Sequence, residues 1–319
     1  MPSNRQIIKK TVTQMGGKIE KFIPERNCFY IKFKNKKILY KTDFAITSES
    51  HISGQFTKCK DITSKLLLGA KLPTPKTESF YSSTYNKYNA KKDLAKLIYP
   101  IILKDATGSN SRGIFPFITD LKEAVSVLAR ELPYYHSMVA QEMVFGKEYR
   151  VLVLGEKILA VLEMIPPAVI GDGLLAIKQL IEKKQNKTKK RTDLNKKLEQ
   201  ILADQGVNLK TVLPKGQKIN FKKNSCLAEG GETRDVTEQI NEKIKKICIT
   251  ASKTVGRNLS GIDIICQDIA KKPKVGQFFI IEINNSPDLS IHYHPTFGQK
   301  REVAREIIKF IFQKKSPRI

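Results

Sequence analysis

Cysteine is scarce in the sequence, tryptophan is missing and no long apolar run occurs. The 319 residues include five cysteines with no C-x-x-C pair, which argues against a disulfide framework and a cysteine zinc site. A membrane-spanning helix would need about 20 consecutive apolar residues, and the sequence has no such stretch. The opening segment, MPSNRQIIKK, has no apolar core of the kind found in signal peptides. We therefore expect a cytoplasmic protein with reduced thiols and no membrane partner.

Acidic residues are also scarce relative to basic ones. Lysine and arginine number 57 against 31 aspartates and glutamates, which gives a formal net charge of +26. Such a field attracts polyanions, such as nucleic acid, an anionic membrane surface or an acidic substrate. The excess is mostly lysine spread along the chain, without the clustered arginines and interleaved aromatics of a nucleic-acid-binding domain. A nucleic-acid partner is therefore disfavoured, whereas general surface charge and attraction to an acidic substrate both stay open.

The length and the hydrophobic content predict two or three packed lobes. Residues 1–58 are typical of a small N-terminal α/β lobe, because Tyr, Ile and Phe alternate over 27–33 and 37–40 as they do in strands. Farther along the chain, helical and strand patterns are mixed, and a hairpin is predicted across Gly155. This order indicates an α+β fold built mainly on antiparallel sheets.

The strongest local signal is a pair of strands late in the chain. In FFIIEINNSP, Glu282 and Asn284 lie two residues apart and therefore on one face of a strand. The preceding strand, GIDIIC, places Asp263 between apolar neighbours, where a carboxylate is unfavourable unless its charge is compensated. Three oxygen donors on adjacent strands fit a Mg²⁺ site that phosphate oxygens complete. The alternative is that all three side chains face solvent on an edge of the sheet.

A lysine and a loop of small residues follow an apolar strand earlier in the chain. Lys104 comes directly after YPIIL, and the loop ATGSNSRG occupies positions 106–113. Glycines permit tight backbone geometry and short polar side chains offer donors, so this loop is a candidate phosphate cradle. A flexible surface turn has a similar composition, and that alternative stays open.

The segment QEMVFGKEYR, at positions 141–150, joins two predicted strands through a glycine. A backbone hinge of this kind can offer an amide and a carbonyl to the edge of an adenine, and the carboxylate of Glu148 can bind ribose hydroxyls. Glu148 and Arg150 lie two residues apart, so they can instead form a surface salt bridge, which contributes little stability.

Taken in order, these segments resemble the ATP-grasp superfamily, and within it the ATP-grasp domains of cyanophycin synthetase and of bifunctional glutathione synthetase. The resemblance covers about residues 60–312. It is carried by CKDITSKLLLGAKLPTP, YPIILKDATGSNSRG, QEMVFGKEYRVLVLGEKILA, IPPAVIGDG, AEGGETRDVT, GIDIICQD, IEINNSPDLSIH and the P-x-x-G-x-x-R pattern that starts at Pro295. So many segments in the family order make coincidence improbable.

The resemblance implies an ATP-grasp fold in which two α/β subdomains clasp ATP, a lid subdomain at 59–145 and a catalytic subdomain at 146–319. It assigns ATP binding to Lys60, Lys104, Ser109, Asn110, Arg112, Gln141, Glu142, Val144 and Glu148. It assigns the metal ligands to Asp263, Glu282 and Asn284, a catalytic role to Arg150 and Arg234, and substrate binding to His292 and Arg301. Residues 109–112 would form a mobile lid over the phosphates.

The activity implied by the resemblance is an ADP-forming ligation of a carboxylate to an amine through an acyl-phosphate, with ATP and Mg²⁺ or Mn²⁺ as cofactors. The expected substrates are an amino acid or peptide carboxylate and an amine, used by a stand-alone ligase. Two rival hypotheses stay open, a non-catalytic ATP-binding regulatory module and a ligase that modifies a protein tail and is recruited by its basic surface. The sequence also leaves a homo-oligomeric state open.

Overall fold

The computed structural model describes residues 1–41, 50–108, 113–188, 196–222, 225, 227 and 230–313. Two compact units can be separated by their contacts. Unit 1 contains Met1–Val161, Thr237–His294 and Arg301–Ile319, and unit 2 contains Leu162–Val236 and Pro295–Lys300. Helices occur together with mainly antiparallel sheets, which confirms the α+β prediction. The predicted boundaries after residues 58 and 145 stay predictions. Among the described residues, no helix has the length and apolarity that crossing a bilayer requires.

The N-terminal part of unit 1 is a helix with a three-stranded antiparallel sheet. Helix α1 (Asn4–Gln14) begins at a capping box, in which the Ser3 hydroxyl accepts from the Gln6 amide and the Gln6 side chain accepts from the Ser3 amide. The strands are β1 (Lys18–Ile23), β2 (Cys28–Phe33) and β3 (Lys36–Lys41), in that spatial order. Side chains alternate along each strand, so one face is apolar and buries Phe29, Ile31, Ile38 and Tyr40. The strands predicted over 27–33 and 37–40 are confirmed.

A four-stranded antiparallel sheet follows helices α2 (His51–Lys58) and α3 (Lys60–Gly69). Its strands are β4 (Thr77–Tyr81), β5 (Ile101–Asp105), β6 (Ile114–Ile118) and β7 (Ser137–Glu142), in the spatial order β4, β7, β5, β6. Two helices share its core, α4 (Lys87–Leu94) and α5 (Leu121–Tyr135). Helix α5 forms because Asp120 caps its first turn and because Ala124, Leu128 and Leu132 bury one face at helical spacing. The central strands β5 and β7 carry Lys104 and Gln141, so this sheet supports one side of the candidate site.

Strands β8 (Lys147–Leu154) and β9 (Lys157–Ile165) form the hairpin that the sequence predicts across Gly155. Gly155 has a φ of 59°, a left-handed conformation that glycine adopts without strain. Residues 151–154 of β8 are all buried, because β8 lies inside its sheet and both of its faces are covered.

Unit 2 has an apolar core of its own. It contains β10 (Ala168–Ile170), helices α6 (Ile177–Thr188) and α7 (Lys196–Ala203), β11 (Lys218–Asn220) and β12 (Glu232–Asp235). Strand β10 pairs with β11, and β12 pairs with residues 162–165 of β9. The core buries Ile177, Ile181, Leu202 and Phe221. The basic run of the sequence over 183–197 lies partly outside the described residues.

Helix α8 (Glu242–Thr254) follows, and strands β13 (Leu259–Cys266) and β14 (Phe278–Asn284) complete the third sheet of unit 1, in which β9, β8, β13 and β14 are neighbours in that order. Strand β13 pairs with β8 on one side and with β14 on the other. The short helix α9 (Ser290–Tyr293) and helix α10 (Val303–Gln313) follow, and α10 shares a core with α1 and the N-terminal sheet. The pairing holds side chains of three neighbouring strands in fixed register, which is what assembles the candidate site.

Candidate active site

Asp263, Glu282 and Asn284 lie together on neighbouring strands. Asp263 of β13 is paired directly with Glu282 of β14, and Asn284 follows two residues later on the same face of β14. The Asn284 side-chain amide donates to Asp263 Oδ2 at 3.1 Å. The Asp263 side chain is 11% exposed, whereas the Glu282 side chain is 37% exposed. The structure thus brings the three predicted metal ligands into one cluster, in which Glu282 is more open than Asp263.

Arg150 neutralises Asp263 from the other side of β13. Arg150 is the cross-strand partner of Asp263 on β8, and its guanidinium donates through Nε to Oδ1 and through Nη2 to Oδ2, the second at 2.9 Å. Burial lowers the pKa of Arg150, but the carboxylates of Asp263, Glu148 and Glu282 together outweigh burial, and the pKa is raised overall. Gly261 leaves room for the Arg150 side chain. A Cβ at position 261 would lie 3.3 Å from Arg150 Cδ and 2.9 Å from Pro287 Cβ, which is too close. The charge compensation that Asp263 requires in its apolar strand is therefore supplied by Arg150.

Lys60 faces the same cluster from the first residue of α3. Its Nζ lies 3.9 Å from Glu282 Oε1 and donates to the carbonyl of Gly108. Its backbone amide donates to the carbonyl of Ala106 at 2.8 Å, which ties α3 to the loop after β5. Lys60, Lys104 and Glu282 line one pocket. A predicted phosphate-binding lysine and a predicted metal ligand are thus adjacent.

Lys104 is oriented by Gln141. Lys104 Nζ donates to Gln141 Oε1 at 2.9 Å, and Gln141 Nε2 donates to Thr77 Oγ1 at 3.0 Å. Burial lowers the pKa of Lys104 to about 8, an effect that Glu282 opposes and Lys60 reinforces. The resemblance assigns Gln141 to ATP, but its side chain is 6% exposed and is used to hold Lys104. Contact between Gln141 and the nucleotide stays a prediction.

Because the pKa of Lys104 is lowered, we expect ATP binding to be accompanied by a measurable uptake of protons. At a pH near 8 the free protein holds about half a proton on this amine, and bound phosphates favour the charged form, so binding takes up roughly half a proton. Uptake fades at lower pH, where the amine is already charged, and ATP affinity falls as the pH rises above 8. Calorimetry in two buffers of different ionisation enthalpy measures the uptake. If Lys104→Met takes up as much as the parent protein, Lys104 is not the group that titrates.

The first two backbone amides of the hinge after β7 are used inside the protein. The amides of Glu142 and Met143 donate to backbone carbonyls at 3.0 Å, and Glu142 Oε1 accepts from the amide of Ile98 at 2.9 Å. Within the part of the chain that the structure describes, no backbone carbonyl accepts from the amide of Val144. Val144 is therefore the better candidate for an adenine contact, whereas the Glu142 carboxylate is used inside the protein.

Gly146 and Glu148 follow where the hinge enters β8. A Cβ at Gly146 would lie 2.9 Å from the carbonyl oxygen of Cys266 on β13, so only glycine fits this close approach. Glu148 then lies opposite Ile265 of β13 and is half-buried. Its charge raises the pKa of Lys104, although burial has the larger and opposite effect. The charge of Glu148 therefore reaches Lys104, and a ribose-binding role of Glu148 stays a prediction.

We expect Glu148→Ala to weaken ATP binding by about 1–3 kcal/mol, because a charged hydrogen bond to the ribose would be lost. The measurement is calorimetric titration with ATP, and Glu156→Ala is the control because Glu156 lies in the β8–β9 turn and is exposed. An unchanged ATP affinity in Glu148→Ala would remove Glu148 from the nucleotide site.

The remaining assigned residues are Arg234, His292 and Arg301, and they lie in other segments of the chain. Arg234 lies on β12 in unit 2, where its guanidinium is 5.4 Å from the ring centroid of Phe297 and 3.8 Å from Glu163. His292 is fully buried on α9, and its carbonyl accepts from the amide of Arg301 at 2.9 Å. These contacts bring His292 and Arg301 together. The catalytic role of Arg234 and the substrate-binding roles of His292 and Arg301 stay predictions. Ser109, Asn110 and Arg112, the predicted lid, lie outside the described residues.

Arg257 is a residue that the sequence analysis missed. It is 5% exposed, its Nη2 donates to the carbonyl of Asn285 at 2.9 Å, and its Nη1 lies 3.4 Å from Ser53 Oγ. The Asn285 side chain in turn donates to the carbonyl of Gly54 at 3.0 Å. Arg257 therefore links the turn after Asn284 to helix α2, which leads directly into Lys60. The available signal was a lone arginine before the apolar strand LSGIDIIC.

We expect Arg257→Met to weaken binding of ATP with Mg²⁺ by about tenfold, because the metal cluster and Lys60 lose a shared support and small misplacements are costly in such sites. Calorimetry is done at a temperature at which circular dichroism shows the variant folded. Arg257→Lys is expected to recover part of the affinity. Arg305→Met, on an exposed face of α10, is the control. Parent-like affinity in folded Arg257→Met would contradict this role.

The donor set fits a small hard cation that also takes phosphate oxygens. Asp263 and Glu282 offer carboxylate oxygens and Asn284 offers an amide oxygen, and Mg²⁺ commonly uses one or two carboxylates together with substrate phosphates. Among the described residues there is no group of three or more His, Cys, Asp or Glu side chains that could hold a metal by itself. Asp263 and Glu282 would hold the cation, and Glu282 is the more open of the two.

Comparisons with known proteins agree with this geometry. The chain is 30% identical over 287 residues to a cyanophycin synthetase from Synechocystis sp., an alignment that covers 85% of this chain and 32% of the relative. It is 28% identical over 293 residues to the glutathione biosynthesis bifunctional protein GshAB from Clostridium perfringens, which covers 87% of this chain and 37% of the relative. The chain thus spans about a third of the length of these relatives.

A solved structure has the same fold. The crystal structure of a bifunctional glutathione synthetase from Pasteurella multocida superposes with a TM-score of 0.72 at 23% identity, and it covers 97% of this chain and 44% of that chain. No protein-family model matches the sequence.

Proposed function

Because the chain belongs to the ATP-grasp superfamily, we propose that it is an ATP-dependent carboxylate–amine ligase. The γ-phosphoryl group of ATP passes to a substrate carboxylate, and an amine then displaces phosphate from the acyl-phosphate, which leaves an amide, ADP and phosphate. The substrates in this proposal are an amino acid or peptide carboxylate and an amine, as for the ligases among its relatives. The cytoplasmic location and a homo-oligomeric state stay predictions from the sequence.

The observation that carries the proposal is the meeting of Lys60, Lys104 and Glu282 in one pocket beside Asp263. The lysines provide the positive charge that a triphosphate requires, and their placement costs no reorganisation when charge develops during phosphoryl transfer. When bound, Mg²⁺ supplies further charge neutralisation and orients the phosphates. Asp263 and Glu282 would hold it, with Asn284 as a third donor.

Arg150 is well placed to serve the reacting carboxylate. Its guanidinium already binds one carboxylate, that of Asp263, through two donors, so its geometry suits a second carboxylate when Asp263 turns to a cation. Positioning and charge then do most of the catalytic work, and no covalent nucleophile is needed. The four histidines stand beside no G-x-S-x-G motif, so a hydrolase triad has no support in the sequence.

The test is ADP release by the full chain with ATP and Mg²⁺ across pairs of amino acids and dipeptides, followed by mass spectrometry of the product. We expect ADP and amide in equal amounts, formed only when both the carboxylate and the amine are present. Lys104→Met is the negative control. It removes one positive charge from the pocket and leaves the carboxylates of Asp263 and Glu282 in place.

The outcomes separate the rival hypotheses. Tight ATP binding without ADP release for any pair would favour the regulatory module over the ligase. Product found only on an added polypeptide, and on no free amino acid, would favour the ligase that modifies a protein tail. If the chain binds no ATP at all, the proposed function fails.

A further inference from the structure

Three lysines stand directly opposite one another across the N-terminal sheet. Lys18 of β1 pairs with Lys32 of β2, and Lys32 pairs with Lys37 of β3. All three are exposed, and they lie on the face opposite the apolar core that α1 and α10 cover. Like charges directly opposite on a sheet are destabilising. We call Lys18, Lys32 and Lys37 the lysine row.

The charge of the lysine row is only partly compensated nearby. The Glu20 carboxylate lies 2.5 Å from Lys37 Nζ and 3.9 Å from Lys32 Nζ. Over residues 1–41 the sequence has eleven lysines and arginines against two glutamates. A structure rarely keeps a locally unfavourable arrangement unless it has a use, and such violations occur at functional sites. The row is therefore a candidate surface for an anionic partner.

The aromatic residues beside the row indicate which kind of anion fits. Tyr30 lies between Glu20 and Leu39 on the same face, and its ring centroid is 5.2 Å from that of Phe22 and 4.1 Å from Lys37 Nζ. Because the Tyr30 ring already packs against these two neighbours, it is poorly placed to stack on a nucleic-acid base. Phe22 beside the row is exposed and offers an apolar contact that the side chains of a polypeptide can use. An acidic polypeptide is thus favoured over a nucleic acid that stacks its bases.

We propose that this face of the sheet is a docking surface for an acidic polypeptide segment. Its aspartates and glutamates pair with the lysine row, and its apolar side chains lie on Phe22, which is 48% exposed, and on the edge of Tyr30. Alternate side chains of an extended segment project to one side about 7 Å apart, and neighbouring strands of the sheet lie about 5 Å apart, within the reach of lysine side chains. The proposal does not depend on the ligase activity.

The first test measures binding of a fluorescent oligoglutamate peptide to the full chain. We compare the parent protein with a variant that carries Lys18→Gln, Lys32→Gln and Lys37→Gln. The matched control carries Lys87→Gln, Lys91→Gln and Lys92→Gln on α4, which removes the same charge from exposed lysines elsewhere. The row variant is expected to bind about tenfold more weakly than the control, and the difference should shrink at high salt. Equal affinities of the two variants, or no binding by the parent protein, would overturn the proposal.

Two further measurements distinguish a docking surface from an ordinary solvated face. Lys32→Gln removes two like-charge contacts, so its Tm is expected to rise by roughly 1–3 °C while peptide binding weakens. A Tm that falls would show that Lys32 is there for stability and would count against the proposal. An oligothymidylate of equal length is expected to bind more weakly than oligoglutamate, and tighter binding of the oligothymidylate would replace the acidic polypeptide with a nucleic acid.

Discussion

Glu282→Gln is expected to reduce ADP-forming turnover at least ~100-fold, because the transferring phosphoryl group would lose part of its counter-charge through the metal. The same change should alter the free energy of unfolding by no more than about 1 kcal/mol. The reason is that the Glu282 side chain is 37% exposed and its nearest cation, Lys60, is 3.9 Å away, a pair that contributes little stability. Turnover is measured by coupled ADP release and unfolding by urea titration.

The control for this prediction is Glu242→Gln. Glu242 is also an exposed glutamate paired with a lysine, but it lies in the first turn of α8. It should keep parent-like turnover. Near-normal turnover in Glu282→Gln would remove Glu282 from the metal site, and a loss of the same size in Glu242→Gln would show that surface charge in general accounts for the effect.

Arg150→Met is expected to destabilise the fold by about 3 kcal/mol as well as abolish turnover. The change leaves the Asp263 carboxylate, only 8% exposed, with the Asn284 amide as its remaining side-chain hydrogen-bond partner among the described residues. Removal of one partner of a buried ion pair is costly because the other charge stays desolvated. Asp263→Asn is expected to destabilise for the same reason, since it leaves the Arg150 guanidinium without its carboxylate.

The double variant Arg150→Met with Asp263→Leu tests this explanation. Replacement of both charges by apolar side chains should recover most of the stability that either single change loses, while turnover stays absent. Urea unfolding of the parent protein, Arg150→Met, Asp263→Leu and the double variant forms the cycle. If the double variant is as unstable as the sum of the single changes, the ion pair is not the source of the destabilisation.

Where the candidate residues lie in regular strands, the sequence predicted their placement. Glu282 and Asn284 share a face because they lie two residues apart, and Asp263 stood out because a carboxylate in an apolar strand needs a partner. Strands β2 and β3 of the N-terminal sheet and the hairpin across Gly155 followed from alternation and from turn chemistry in the same way, whereas β1 was not predicted. These features depend on neighbours in the chain, so one sequence was enough to find them.

The side-chain partners were not predictable by the same means. The sequence indicated Gln141 as a nucleotide residue, yet its amide holds Lys104, which comes from another strand of the sheet. Arg257 acquires its role from Asn285 and Ser53, which lie 28 and 204 positions away. Contacts between such distant positions depend on strand order and helix packing, and local patterns carry no information about either.

The amino-acid sequence alone specified which residue types could bind phosphate and metal, and it specified the periodicities that form the strands carrying them. Tertiary structure decided how these residues meet. Strand β13 lies between β8 and β14, so Asp263 has Arg150 on one side and Glu282 on the other, and the charge of Asp263 is satisfied before any ligand arrives. The register of the N-terminal sheet likewise aligns Lys18, Lys32 and Lys37. The physical reason is that a strand's periodicity sets only the face of a side chain, whereas its neighbours across the sheet are set by the pairing of whole strands.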